Sequence, residues 1–169
     1  MEQGLDETLC AKYPRIFKDR HASMQVTCMC WGFEVGDGWY QILDSLCANI
    51  QHHIDWSHKN HEWALKWNAE HPDKQRPVRD PVPQVIAVQV KEKFGGLRFY
   101  YDGGDDQIHG MVQMAESWAI HTCEECGAPG YTRYGGWHRT LCDHHAEAAG
   151  YTVDENERRR EMKENGLEE

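Results

Sequence analysis

The sequence predicts an α+β fold: a small antiparallel sheet, including a hairpin over residues 85–102, packed by helices, with a short stapled segment appended toward the C-terminus. Three observations predict it. Trp39, Ile42, Leu43, Leu46, Cys47, Ile50 and Ile54 recur at the three- and four-residue spacing of one helix face. Two strand-like runs flank Gly95-Gly96, a pair suited to the positive φ angles of a tight hairpin turn. Finally, Cys123 and Cys126 are followed, after fifteen intervening residues, by Cys142 and His145.

Composition supports a folded chain. Of 169 residues, 40% are hydrophobic, and seven Trp, seven Tyr and four Phe supply enough apolar surface for a core. The net charge of -10 repels nucleic acid overall, so a nucleic-acid role would need a local basic patch. No apolar run approaches the ~18 residues of a membrane span. Residues 1–10 are acidic and lack the basic and apolar stretches of a signal peptide. A reducing, cytoplasmic setting is therefore expected, with the seven Cys as thiols and metal ligands rather than disulfides.

In chain order, residues 5–17 read as a short helix ended by Pro14. Residues 24–30 alternate apolar and polar, the period of a strand. Residues 32–38 are turn-rich, and Asp37 is placed to cap the helix that follows. That helix continues, after a bend, through Trp56, Trp63, Leu65 and Trp67. Four prolines make residues 71–84 an extended connector. The hairpin follows, with Phe94 expected opposite Leu97 and Val88, Val90, Phe94, Leu97, Phe99 and Tyr101 on the core face. Asp105 or Asp106 caps a helix whose buried stripe is Ile108, Met111, Val112, Ala115, Trp118 and Ala119. The expected organisation is a core over 1–121, a finger over 122–152 and a charged tail over 153–169.

The Cys/His spacing carries the sharpest chemistry. Zinc takes four ligands in a tetrahedron and accepts thiolate and imidazole donors. C-x2-C sets two sulfurs on one loop, and Gly127 permits the tight backbone it needs. Cys142 and His145, three apart, face the same way if a helix starts near Cys142. Residues 130–140 read as a small hairpin turning at Gly135-Gly136. Cys123, Cys126, Cys142 and His145 are read as a closed, structural Zn²⁺ site, and their layout is similar to a treble-clef finger. His144 is the rival fourth ligand, with His121 and His138 behind it. Cys28, Cys30 and Cys47 with His52 or His53 make a conceivable second site, against the plainer reading of core thiols.

The hairpin gathers Lys91, Lys93, Arg98 and Tyr100 on its other face, a patch suited to a phosphate-bearing ligand or an acidic protein surface. The plainer reading is a solvated strand. Asp102, Asp105 and Asp106 form the best carboxylate cluster for metal-dependent hydrolysis. Arg133, His138 and Arg139 are the finger's candidates for contacting nucleic acid. Nucleotide-binding loops and nucleophile elbows are absent.

Three strings, residues 30–40 (CWGFEVGDGWY), 90–101 (VKEKFGGLRFYY) and the knuckle 123–130 with 137–145, resemble small phage- and prophage-encoded accessory proteins. The resemblance spans most of residues 5–150. It implies the cytoplasm of a bacterial host and a counter-defence role, by blocking a host factor or sequestering a nucleotide signal; it implies no activity. A zinc-stabilised, non-catalytic binding protein is the leading expectation, with a host protein or a phosphate-bearing small molecule as partner. A metal-dependent nucleotide or nucleic-acid hydrolase and a nucleic-acid-binding finger are the alternatives. Aromatic residues in 31–40 are compatible with a homo-oligomer.

Overall fold

The computed structural model describes residues 1–151 and Lys163; the predicted charged tail lies almost wholly outside them. In chain order come α1 (Gln3–Lys12), β1 (Phe33–Glu34), α2 (Tyr40–Glu70), β2 (Ile86–Lys93), β3 (Gly96–Asp102), α3 (Asp106–Ala119), β4 (Tyr131–Arg133), β5 (Arg139–Leu141) and α4 (Asp143–Ala148). The class is α+β, but the main sheet is mixed rather than antiparallel. Its order is β1-β2-β3, with β1 parallel to β2 and β2 antiparallel to β3. A parallel pair needs a crossover, and α2 with the proline-rich segment supplies it.

The predicted strand over 24–30 does not form. Residues 28–31 instead make a 3-10 turn, with the Thr27 hydroxyl accepting from Met29 N. The sequence alternation there buries little, because Met24 and Val26 are 64% and 69% exposed. The Thr27 hydroxyl also donates to Val88 O. Val88 is the extra residue of a β-bulge between the Ala87–Tyr101 and Gln89–Tyr100 pairs. The bulge explains an inversion of the expected pattern. Ala87 and Val90, three apart, are both buried, whereas Val88 is only half-buried.

The hairpin turn also differs. Lys93 pairs with Gly96, so the two central residues are Phe94 and Gly95, with φ of 54° and 77°. Both being positive, this is a type I′ turn. Phe94 leaves the expected core face and stands 72% exposed at the tip. Glu92, on the apolar side opposite Leu97, turns its carboxylate to accept from Gly95 N at 2.6 Å.

α1 stops at Lys12, short of Pro14, and the turns after it bury Tyr13, Ile16 and Phe17. Asp37 accepts from Glu2 N at 2.6 Å and does not cap α2. α2 runs unbroken for 31 residues, about 46 Å at 1.5 Å per residue. Leu43, Leu46, Cys47, Ile50 and Ile54 are its core face. Beyond Ile54 it leaves the core, and Trp56, Trp63 and Leu65 are exposed. The proline-rich chain returns along this half. Ser57 accepts from Val82 N, His58 and His61 bind the carbonyls of Val82 and Arg79, and Asn68 exchanges bonds with Arg76.

α3 is capped by Asp105, which accepts from Ile108 N. It buries Ile108, Val112, Ala115 and Ala119, but Trp118 turns outward at 64% exposure. Glu116 accepts from Phe99 N, closing part of the free edge of β3. No helix among the described residues is long and apolar enough to cross a membrane.

Candidate metal centre

Residues 122–130 form the knuckle. Cys123 N donates to Ala128 O, Gly127 N donates to Cys123 O, and Gly127 takes φ of 76°. β4 and β5 pair antiparallel and lead to Cys142, the residue that opens α4. One helical turn later, His145 comes back beside Cys142.

The four ligand atoms of Cys123, Cys126, Cys142 and His145 lie within 4.8 Å of one another. His145 Nδ1 is 3.4 Å from Cys123 Sγ and 3.3 Å from Cys142 Sγ, and Cys126 Sγ is 3.9 Å from Cys142 Sγ. A tetrahedron with metal–sulfur bonds of ~2.3 Å and metal–nitrogen bonds of ~2.0 Å has edges of roughly 3.5–3.8 Å. The residues fit a metal ion of that kind. No disulfide competes, since all seven cysteines are free thiols. The Cys123 thiol is held down to about 7: burial pushes it up, but N–H groups of Cys142, Cys126 and Glu125 and the His145 ring favour the thiolate more.

His144, the rival ligand, is exposed, with its ring centroid 5.1 Å from that of His145. His121 and His138 are likewise outside the cluster. Among the described residues no other group of three or more potential ligands gathers. Cys28 is exposed and Cys47 fully buried, so the conceivable second site is not assembled. Nor is the carboxylate cluster. Asp105 is engaged as the cap of α3 and by His53 Nε2 at 2.9 Å, and these contacts hold its carboxyl below the usual range against the opposing effect of burial.

The finger is docked, not simply appended. Gly38 N donates to Glu124 O at 2.7 Å, Gly36 N to Glu124 Oε1 at 3.0 Å, and Trp39 Nε1 to Thr122 O at 2.8 Å. The approach is backbone to backbone: a Cβ on Gly38 would lie 2.1 Å from Cys123 O. On the other side, Thr140 Oγ1 donates to Gly95 O, tying the finger to the hairpin tip. Glu124 is buried, and its Oε2 accepts no hydrogen bond, with Arg139 Nε 3.8 Å away. Burial pushes that carboxyl up, more than Gly36 N–H and Arg139 hold it down. Gly36, Gly38, Glu124 and Thr140 were not singled out from the sequence as site residues. The Gly-Asp-Gly string signalled a turn but not what pressed against it.

The hairpin face is assembled as a row. Lys91 and Arg98 are direct register partners, and Glu34 of β1 stands beside Lys91. Lys91 Nζ lies 5.7 Å from the Tyr100 ring centre, and Lys93 Nζ lies 5.5 Å from that of Phe94. Arg98 approaches Glu116 at 3.9 Å. The patch is therefore less cationic than the sequence suggested, with Glu34 and Glu116 at its two sides. In the finger, Arg133 is 2% exposed and donates to Leu141 O and Asp143. Arg139 pairs with Glu125. Two of the three side chains proposed to meet nucleic acid are thus turned to internal use.

Comparison of the chain with protein-family models, with curated proteins and with solved structures gives no match.

Proposed function

We propose that this chain is a zinc-stapled, non-catalytic binding protein. Knuckle, hairpin and helix follow one another in the order of a treble-clef finger, and the bound ion on this reading is structural Zn²⁺. The observation that carries it is the closed donor set: three sulfurs and one Nδ1 within 4.8 Å would fill a tetrahedral ion and leave no position for a reacting water. The ion's work is then to hold the knuckle against Gly38 and the hairpin tip at Gly95.

The surface so braced carries Lys91, Lys93, Arg98 and Tyr100. On this reading it meets a phosphate-bearing ligand or an acidic patch of a host protein, and acts by occupancy. That suits the counter-defence setting implied by the phage-protein resemblance. The hydrolase reading is less well supported because Asp105 is already committed to a cap and to His53. The nucleic-acid reading is weakened by the internal bonds of Arg133 and Arg139.

Metal analysis tests the staple. The purified chain should carry about one zinc per molecule, lose it in His145→Ala and keep it in His144→Ala. Retention in His145→Ala would assign the fourth ligand elsewhere. Turnover is tested by incubation with nucleotides and Mg²⁺; product formation would overturn the non-catalytic reading.

A further inference from the structure

The hairpin tip poses a physical problem. A type I′ turn favours Asn, Asp or Gly at both central positions, because a side chain at positive φ is strained. Here the first central residue is Phe94, at φ of 54°. Its ring is 72% exposed and so gains little from folding. Hydrogen bonds to Gly95 hold the turn, but none involves the Phe94 ring, so folding gives no reason for a strained, exposed Phe at this position, the combination in which strain points to a function.

A second ring stands in the same place. Trp137, in the loop between β4 and β5, is 68% exposed. Phe94 and Trp137 together line a cleft of about 450 Å³ whose other walls are Glu92, Lys93, Gly136 and His138. That volume is within the range of small-ligand sites, roughly 300–1,000 Å³. Both rings stand beside backbone groups hydrogen-bonded to neighbouring elements. The tip is held by Thr140 Oγ1 to Gly95 O and by Gly95 N to Glu92. The loop is held by the Tyr151 hydroxyl, which donates to Trp137 O at 2.6 Å. Two rings anchored by such bonds beside one cleft lower the ordering cost of binding a flat ligand.

The polar groups define the ligand further. Lys93 Nζ, 5.5 Å from the centre of the Phe94 ring, supplies a positive charge at the cleft wall. Glu92 and His138 offer hydrogen-bonding partners for the edge of a heteroaromatic ring. We propose that the cleft between Phe94 and Trp137 binds the base of a nucleoside phosphate by stacking, with Lys93 holding the phosphate. This rests on the reading of the chain as a binding protein and names where the ligand's ring sits. Lys93 joins the cleft to the Lys91/Arg98 face.

The test is calorimetric titration of the zinc-loaded full chain with ADP, GDP and UDP, and with adenosine and inorganic phosphate alone. At least one nucleotide should bind one per chain, more tightly than adenosine or phosphate. Phe94→Gly and Trp137→Ala should each weaken it by roughly five- to 140-fold, the range for losing one stacking ring. Trp118→Ala, an exposed ring elsewhere, should not. Phe94→Gly should also melt no lower than the parent, since glycine suits that φ; a merely structural Phe94 would melt lower on substitution. Unchanged affinity in both ring variants overturns the cleft. If affinity is instead lost only in Lys91→Ala/Arg98→Ala, the cleft falls and the binding-protein reading stands. Absence of binding to all three nucleotides also overturns the cleft, while zinc content and lack of turnover judge the parent reading separately.

Discussion

Asp6 and Arg20 show how single residues hold the N-terminal third in place. α1 has no side-chain cap, and the 13–31 segment after it is mostly turns. What joins them is a paired charge: Arg20 Nη2 meets Asp6 Oδ2 at 2.8 Å, and Arg20 Nη1 reaches Met29 O and Cys30 O. Asp6 also accepts from Phe33 N, the first residue of β1. Burial pushes the Asp6 carboxyl up, but Arg20, Cys10 and Phe33 N–H together hold it below its usual range. A carboxylate with a lowered folded-state pKa contributes stability above its unfolded value of ~3.9. That contribution is lost as pH falls through the lower folded value. Asp6→Asn should therefore cost about 3 kcal/mol at pH 7, since Arg20 is left without its charge partner. The deficit should shrink at pH 2–3. Urea unfolding at the two pH values checks this, and an equal deficit at both would show that the charge is not what matters.

At the scale of elements, legibility followed the strength of the local pattern. The α2 stripe from Leu43 to Ile54 is buried as its spacing implied, because four large apolar residues and Cys47 on one helix face have one way to hide. α3 was legible for the same reason, apart from Trp118, which faces out; the sequence left its cap open between Asp105 and Asp106, and the structure uses Asp105. Residues 24–30 misled because their alternation matched a strand, while the hydroxyl of Thr27 favoured a turn. The hairpin was legible but its register was not. Gly95-Gly96 suggested itself as the central pair, whereas the turn uses Phe94-Gly95, a register accompanied by bonds from Gly95 N to Glu92 and from Thr140 to Gly95 O that no local pattern signals. β1 is two residues long and its partners in β2 lie 57 positions away in sequence, which leaves no local signal. The grouping of Cys123, Cys126, Cys142 and His145 was legible because the C-x2-C and C-x2-H spacings by themselves bring donor atoms together. The docking of the knuckle was not, because it is made by absence of side chains. Gly38→Ala tests that contact. A methyl group 2.1 Å from Cys123 O must displace backbone, so a loss of at least about 2 kcal/mol and weaker zinc retention are expected. Gly110→Ala, in α3 with open space around it, should instead stabilise by about 0.5–1 kcal/mol. Equal midpoints for the two variants in chemical unfolding would remove the close approach from the argument.

For the whole molecule, the hydrogen bonds at Gly36, Gly38 and Trp39 place the knuckle against the start of α2, and the one at Gly95 places β5 against the hairpin. The finger is thus bonded to the core at two separate places, the start of α2 and the hairpin tip. A metal bound there would then be linked to the stability of the core, not only to that of residues 122–151. Ligand that binds only the folded form at about a thousand times its Kd adds about 4 kcal/mol. For a chain of this length that corresponds to a midpoint shift of roughly 10 °C. Chelation should therefore lower the melting midpoint by about that amount as one cooperative transition, with Trp39, fully buried beneath the knuckle, changing its near-ultraviolet signal at the same temperature as the helices. Zinc added back should restore the midpoint. Two separate transitions, with the helical signal melting at an unchanged temperature, would mean that the finger is an independent unit and that the bonds to Gly38 and Gly95 carry no coupling. In that case the cleft at Phe94 would keep its shape without metal, and nucleotide affinity would be the same before and after chelation.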